Sequence, residues 1–399
     1  KLLMMLFTLP FFGKNIYRAI VRDTDCEFGK DAVYDFLGSH RFSWRRLLLM
    51  VALKVISILD ALTTKDRESV LILDDTSVHR PRAKKVELLA RVYDHAEKKY
   101  IKGFRMLTLA WSDGASLVPI DFALLSSTDS CNRYQGVLKH LDRRTCGAKR
   151  RREAMTKSTS LLAPMVQRAL EAGVKARYLV MDSWFGMPAI IASLRNLLPI
   201  ICMIKRTPNV HYGYKGKRLS ADRIFLEVKK RRGLAKILSS AVVTMNDGEQ
   251  ARIVFVRDRK KKDWLAILCT DINLPEEAVV RIYGKRWDIE VFFRTTKQFL
   301  ELEKGSQARD FDTLIAHSTI VCLRYIFLVL EQRQKADPRT LGILFHACCE
   351  EMRDVTYLES LKRIIELAAA EILPKHPANA DIYNALAEAM VGQAIRYFG

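Results

Sequence analysis

The sequence predicts an α/β fold built on a mixed sheet, with helical regions at both ends and a β-rich insertion. Three observations carry this. Short apolar runs rich in β-formers alternate with helical patterns over residues 69–205. A basic stretch of alternating apolar runs and polar turns follows over residues 201–262. From Pro275 onward the pattern is largely helical, with a break at Ala336-Asp337-Pro338.

Taken in order, residues 28–62 read as two helices, with a turn at Gly38 to Ser43 and RRLLLMVALKVISIL in the second. SVLILDD (69–75) is an apolar run bounded by charge, which predicts a buried strand. RMLTLAW (105–111) and SLVPIDFALL (116–125) are two more strands, split by the hairpin signal Asp113-Gly114. Residues 153–172 have a helical pattern that stops at Gly173. ARYLVMD (176–182) then predicts a strand, Pro188 to Leu198 a helix, and IICMIK (200–205) a strand. In the basic stretch the runs AKILSSAVVTM (235–245), ARIVFVRD (251–258) and DWLAILCT (263–270) alternate around turns such as Asn246-Asp247-Gly248.

Charge narrows the function. The 399 residues hold 66 Lys and Arg against 45 Asp and Glu, a net +21 with a pI near 9.7. Residues 201–262 alone hold 17 Lys and Arg against 5 Asp and Glu. Such a field attracts polyanions, nucleic acid first. A membrane span is excluded by length: the most apolar stretch, Leu314 to Leu330, is 17 residues and contains His317 and Arg324, whereas spanning takes about 20 apolar residues. The opening KLLMMLFTLPFF lacks a small-x-small cleavage site and reads as a truncated start that packs as a helix. The eight cysteines have no C-x-x-C spacing, which fits reduced core thiols and a cytoplasmic setting. His346 and Cys348 offer half a zinc site, and no second half appears.

The chemistry concentrates in YGKRWDIEVFFRTTK (283–297). Tyr283, Arg286, Glu290 and Lys297 stand at i, i+3, i+7 and i+14, so on one helix they form a narrow polar stripe at about 100° per residue. Trp287, Ile289, Phe292 and Phe293 cover the remaining circumference, so the helix is expected to be buried on several sides and the stripe to face a cleft. Charges on a helix usually mean a solvated face with i, i+4 ion pairs, but the aromatics weigh against that here. Two further acids close strands: Asp75 ends SVLILDD and Asp182 ends ARYLVMD. A lone Asp there is most often a cap. At the carboxyl ends of central strands, however, acids face the ligand crevice, and three carboxylates can hold two Mg²⁺ ions for phosphodiester chemistry.

On these residues the sequence resembles the DDE transposases of bacterial insertion sequences, in the branch with the Y-x2-R-x3-E-x6-K signature. Here the signature is Tyr283, Arg286, Glu290 and Lys297, around Arg286-Trp287-Asp288-Ile289-Glu290. The family's first acid matches Asp75 within Asp74-Asp75-Thr76, and its second matches Asp182. The resemblance covers about residues 65–330 and implies a ribonuclease-H-like catalytic domain over 65–206 and 272–330. A basic β-rich insertion over 207–271 interrupts it, between helical regions 1–64 and 331–399. It further implies that Asp75, Asp182 and Glu290 bind two Mg²⁺ ions (Mn²⁺ substituting), and that Tyr283, Arg286 and Lys297 hold phosphates. The partners it implies are double-stranded DNA, as transposon ends and target, and a second copy of the chain in a DNA-bound homodimer; the setting is bacterial, cytoplasmic and nucleoid-associated. Relatives with this insertion cut through a hairpin and stack an extruded base on a Trp, whose place Trp264 takes. Trp264 fits a sheet core equally well, but Lys260, Lys261 and Lys262 beside it supply the backbone-tracking charge of a stacking site. Arg45, Arg46 and Lys54 either touch DNA or line a solvated helix, and Lys149 to Arg152 and Lys229 to Arg232 read as exposed phosphate-binding loops.

Three readings follow. The first is a transposase that hydrolyses element ends and joins the freed 3′ ends to target DNA. The second is a domesticated endonuclease of the same fold, and the third a DNA-binding protein with a dead site. The intact acid set speaks against the third, and the absence of G-x-x-x-x-G-K-[ST] speaks against a nucleotide-driven motor.

Overall fold

The computed structural model describes residues 1–16, 19, 28–62, 67–95, 97–231, 233, 235–258, 263–372, 385, 388–390, 392 and 393. Two compact units divide the chain, residues 1–29 with 338–399, and residues 30–337. In the first, helix α1 (Leu2–Thr8) and the aromatic residues after it precede the long α11 (Leu341–Ile372). Phe11 packs against Phe7 and Phe345 at ring distances of 6.1 and 5.3 Å.

The second unit opens with α2 (Lys30–Leu37) and α3 (Trp44–Ala61), the latter capped by Ser43, whose side chain accepts from the Arg46 amide. The sheet begins with β1 (Val70–His79), β2 (Ala90–Asp94), β3 (Lys99–Ser112) and β4 (Leu117–Leu125). Helices α4 (Cys146–Ala154) and α5 (Ser158–Glu171) lead to β5 (Tyr178–Met181), and α6 (Pro188–Leu194) leads to β6 (Ile200–Ile204). β3 runs antiparallel to β1 and β4, whereas β1, β5 and β6 are parallel. The order β4-β3-β1-β5-β6 is a three-strand meander continued by two parallel strands, the ribonuclease-H-like arrangement. Its strands are apolar because helices cover them: Val70 to Leu73 and all nine residues of β4 are buried. The β3–β4 turn forms where expected, with Gly114 at φ +88° and the Asp113 carboxylate accepting the amides of Ala115 and Ser116.

The basic segment extends this same sheet. β7 (Tyr212–Tyr214), β8 (Lys217–Leu219), α7 (Ala221–Glu227), β9 (Ile237–Thr244), β10 (Gln250–Asp258) and β11 (Asp263–Cys269) follow β6. β11 pairs antiparallel with β6, and β10, β9, β7 and β8 continue outward. The chain then enters α8 (Glu276–Gly284), α9 (Trp287–Gln298) and α10 (Phe311–Gln334). By length and composition α10 could cross a membrane, yet its apolar window is 89% buried within the protein. His317 and Arg324 on it meet the Glu301 and Leu300 carbonyls.

Several expectations change. The helix expected over 153–172 is two helices, and β2, β7 and β8 were not legible because ARVYD, YGY and KRL hold no continuous apolar run. Lys149 to Arg152 lie in α4, not in an exposed loop: Arg150 and Arg151 are buried, and Arg151 holds the buried Glu87 carboxylate through Nε and Nη2 at 2.8 Å each. Arg45 is likewise internal, donating to Asp121 at 2.8 Å and to Glu153 at 2.8 and 2.7 Å.

Candidate active site

Strand register assembles the acids. The last registered pair of the parallel β1–β5 ladder is Leu73 with Met181. Asp74 and Asp182 directly follow this pair, near enough that the Asp182 charge acts on the Asp74 carboxyl. Strand alternation sends Asp75 to the opposite face, with Ser77 and His79. There Asp75 Oδ2 lies 3.6 Å from Arg105 Nη1, buried and without a hydrogen-bond partner. The two neighbouring acids therefore serve different surroundings.

Asp74 and Glu290 share one guanidinium. Arg286 donates through Nη1 to Asp74 Oδ2 at 2.9 Å and through Nη2 to Glu290 Oε1 at 2.5 Å, the fork geometry that suits arginine to paired carboxylates. The stripe is not on one continuous helix. α8 ends at Gly284, and i→i−3 bonds tighten the turn, Lys285 N to Ile282 O at 3.1 Å and Arg286 N to Tyr283 O at 3.0 Å. The Lys285 ammonium anchors this turn on the carbonyls of Glu68 and Asp113. Asp288 then accepts from Ser112 of β3 at 2.7 Å, so α9 is tied to the face of the sheet that carries Asp74.

The electrostatics fit a cation-binding centre. Burial drives the Asp74 carboxyl up to about 7; Arg286 opposes the shift, and Asp182 and Asp75 add to it. Burial also raises Asp75, against Arg105 and His95, with Asp182 contributing. Burial raises the Tyr283 phenol, whose buried hydroxyl has no partner. Burial works against the Arg286 charge, but Tyr283, Asp74 and Glu290 outweigh it. Hard carboxylate oxygens gathered in a buried site suit a divalent cation. The three acids predicted from the sequence do not close on one point. Among the described residues the set of three metal-ligating side chains that converges within 4.8 Å is His79, Asp94 and Glu97, and Arg286 stands between Asp74 and Glu290.

The other predicted residues fall as follows. Lys297 lies farther along α9 and pairs with Glu303 at 3.6 Å. Trp264 is half-buried, stacked on Phe225 at 4.4 Å with Arg206 at 4.0 Å over the ring; a ring and a guanidinium that close must occupy opposite faces. Lys260, Lys261 and Lys262 lie outside the described residues. Trp287, expected to help bury its helix, is 61% exposed, whereas Ile289, Phe292 and Phe293 are buried. One cluster escaped the sequence reading. The exposed Trp184, two residues past Asp182, packs on His95 at 4.9 Å with the Lys205 ammonium 4.1 Å over its ring. Its only sequence signal is an aromatic residue directly after a strand-end acid.

No curated protein matches the sequence. Among solved structures the chain is similar to the piggyBac transposase in a synaptic complex with hairpin DNA, seen by cryo-electron microscopy. The two are 13% identical with a TM-score of 0.42, over 87% of this chain and 79% of that one. The family model for DDE superfamily endonucleases matches residues 12–224, a span that holds Asp74, Asp75 and Asp182 and stops before Glu290. That span is more than half of the sequence, and the chain belongs to the DDE superfamily endonucleases.

Proposed function

We propose that this endonuclease is a transposase of the bacterial insertion-sequence type, cutting element ends by metal-dependent phosphodiester hydrolysis and joining the 3′ ends to target DNA. One observation carries the reading: Asp74 and Asp182 directly follow Leu73 and Met181, the last registered pair of the β1–β5 ladder, and Arg286 links Asp74 to Glu290. The sequence placed the first ligand at Asp75; the register favours Asp74, and we assign the metal-binding set as Asp74, Asp182 and Glu290. Two divalent ions, when bound, supply Lewis-acid stabilisation of the leaving oxygen and lower the pKa of an attacking water or 3′-hydroxyl.

The chain's own groups position the strand. With Asp74 and Glu290 holding cations, the Arg286 fork that now bridges them would be available to two oxygens of the adjacent phosphate. The Tyr283 hydroxyl, now without a partner, can donate to the same phosphate. Lys297 continues the track outward. Hairpin formation would draw on the aromatic cluster around Trp264, where an entering base must displace Arg206 from the ring. Pairing of two ends calls for a homodimer on DNA, in the cytoplasm at the nucleoid. The test is incubation of the chain with duplexes carrying the inverted repeats that flank its gene, in Mg²⁺ or Mn²⁺, resolved on a denaturing gel. Metal-dependent nicks and hairpins at the repeat ends are expected. Intact DNA under every metal condition would overturn the proposal.

A further inference from the structure

Beyond the acids, β1 runs on through His79 into the strap HRPRAKKV (79–86), which faces a second strap at residues 303–309 across a cleft of about 960 Å³. Arg82, Lys84, Lys85, Lys304 and Arg309 line it. All five side chains are exposed, and none of them forms an ion pair among the described residues. A charge run on a surface loop ordinarily means solvation alone. Here both ends of the strap are pinned by buried charges. Arg80, 8% exposed, donates to the carbonyls of Leu302 and Glu303 and keeps a buried Nε without a partner. At the other end the Glu87 amide donates to the Arg309 carbonyl at 2.8 Å, while the fully buried Glu87 carboxylate accepts from Arg151 and from the amides of Leu138 and Phe311. The one acid on the wall, Glu303, is already engaged by the His79 amide and Lys297.

Position gives the cleft its meaning. Lys297, the far end of the polar stripe, meets Glu303 at its rim. From the paired acids to Arg80 the chain travels five or six residues of strand, roughly 15–20 Å at about 3.3 Å each. That equals about four to six base pairs of duplex. We infer that this cleft binds the phosphodiester backbone of the DNA four to six base pairs from the scissile bond, as a rigid, sequence-independent phosphate track continuous with Lys297. The inference rests on the reading of the chain as a DNA-cutting enzyme.

The test uses the full chain and the five-fold variant Arg82→Gln, Lys84→Gln, Lys85→Gln, Lys304→Gln, Arg309→Gln, with melting temperature as the check on folding. Binding to a flanking-repeat duplex of about 30 base pairs should show a log–log salt slope shallower by up to about 4.5, near 0.9 for each phosphate left without its cation. Single methylphosphonate substitutions four to six positions from the cut should weaken wild-type binding several-fold and leave the variant unmoved. An unchanged slope, or wild-type sensitivity confined to the two phosphates nearest the cut, overturns the cleft assignment. So does an equal loss on duplexes that end before the fourth base pair. A wild-type chain that binds with the expected phosphate map but never cuts would sink the nuclease reading and leave the cleft standing.

Discussion

At the scale of single residues, the adjacent acids Asp74 and Asp75 differ in what they can do. Asp74 sits beside Asp182 and on Arg286, whereas Asp75 looks to Arg105 across the sheet. Asp74→Asn, Asp182→Asn and Glu290→Gln are each expected to lower cleavage by at least about a hundredfold with DNA affinity retained; Asp75→Asn should be milder. A gel assay in which Asp75→Asn is the dead variant and Asp74→Asn is active would reverse the assignment. The neutral preference of Asp74 also predicts a stability signature. Its folded pKa, about 7, lies above the ordinary value of 3.8. The folded state therefore keeps a proton that the unfolded chain releases between those values, and stability falls as pH rises through that window. At about 1.4 kcal/mol per unit, the ionised carboxylate costs at most roughly 4 kcal/mol above pH 7. Asp74→Asn should thus melt higher than wild type at pH 8, in the absence of metal, and match it near pH 4. Equal melting at pH 8 would mean that the charge is held without cost. The presence of two acids was legible in the sequence. Which of them faces the crevice was not, because the register with a strand about a hundred residues away decides it.

At the scale of elements, glycine fixes how closely the site-bearing turn approaches its neighbour. A Cβ on Gly186 would meet the Met203 carbonyl oxygen at 2.3 Å, a clash that cannot relax by side-chain rotation. Gly186→Ala should push the Asp182–Gly186 turn off β6. The expected cost is about 1–3 kcal/mol in stability, with cleavage reduced at least about tenfold and DNA binding kept. A variant with wild-type melting and cutting would show that the turn is free to shift. Trp264 poses a packing question of the same kind. Sandwiched by Phe225 and Arg206, and edge-on to Phe255, it should cost about 2–4 kcal/mol on Trp264→Ala. Loss of hairpins while nicks persist, in a variant that melts normally, would support the base-stacking role proposed for Trp264. The long apolar strands were readable from their β-formers. The break between α8 and α9 was not, since Gly284 interrupts no hydrophobic pattern and tertiary anchoring of Lys285 makes the turn.

At the scale of the whole molecule, surplus cations do two jobs that composition cannot separate. Three of them converge on Asp121 of β4: Arg45 from α3 and Arg168 from α5 donate at 2.8 and 2.7 Å, with Arg150 from α4 at 4.0 Å. Burial would raise this carboxyl, but Arg45, Arg150 and Arg168 outweigh it and hold it below the ordinary carboxylate range. Asp121→Asn leaves those charges uncompensated and should cost about 3–5 kcal/mol, read as a lower denaturation midpoint. A midpoint within error of wild type would mean that water replaces the carboxylate. Arg45 thus serves the fold, whereas Arg82 and its neighbours across the cleft remain available to phosphate.

The pairing of β6 with β11 carries one more implication, for motion. Ladder partners from Ile201 with Cys269 to Ile204 with Ala266 stitch the basic segment to the strand beside β5. A segment joined this way has no hinge. It cannot swing over the acids as a separate lid, and it follows the DNA only by the shared twist of the sheet. Amides of β6 and β11 should accordingly exchange with deuterium as one cooperative unit, and a load applied to the basic strands would be felt one strand away from Asp182.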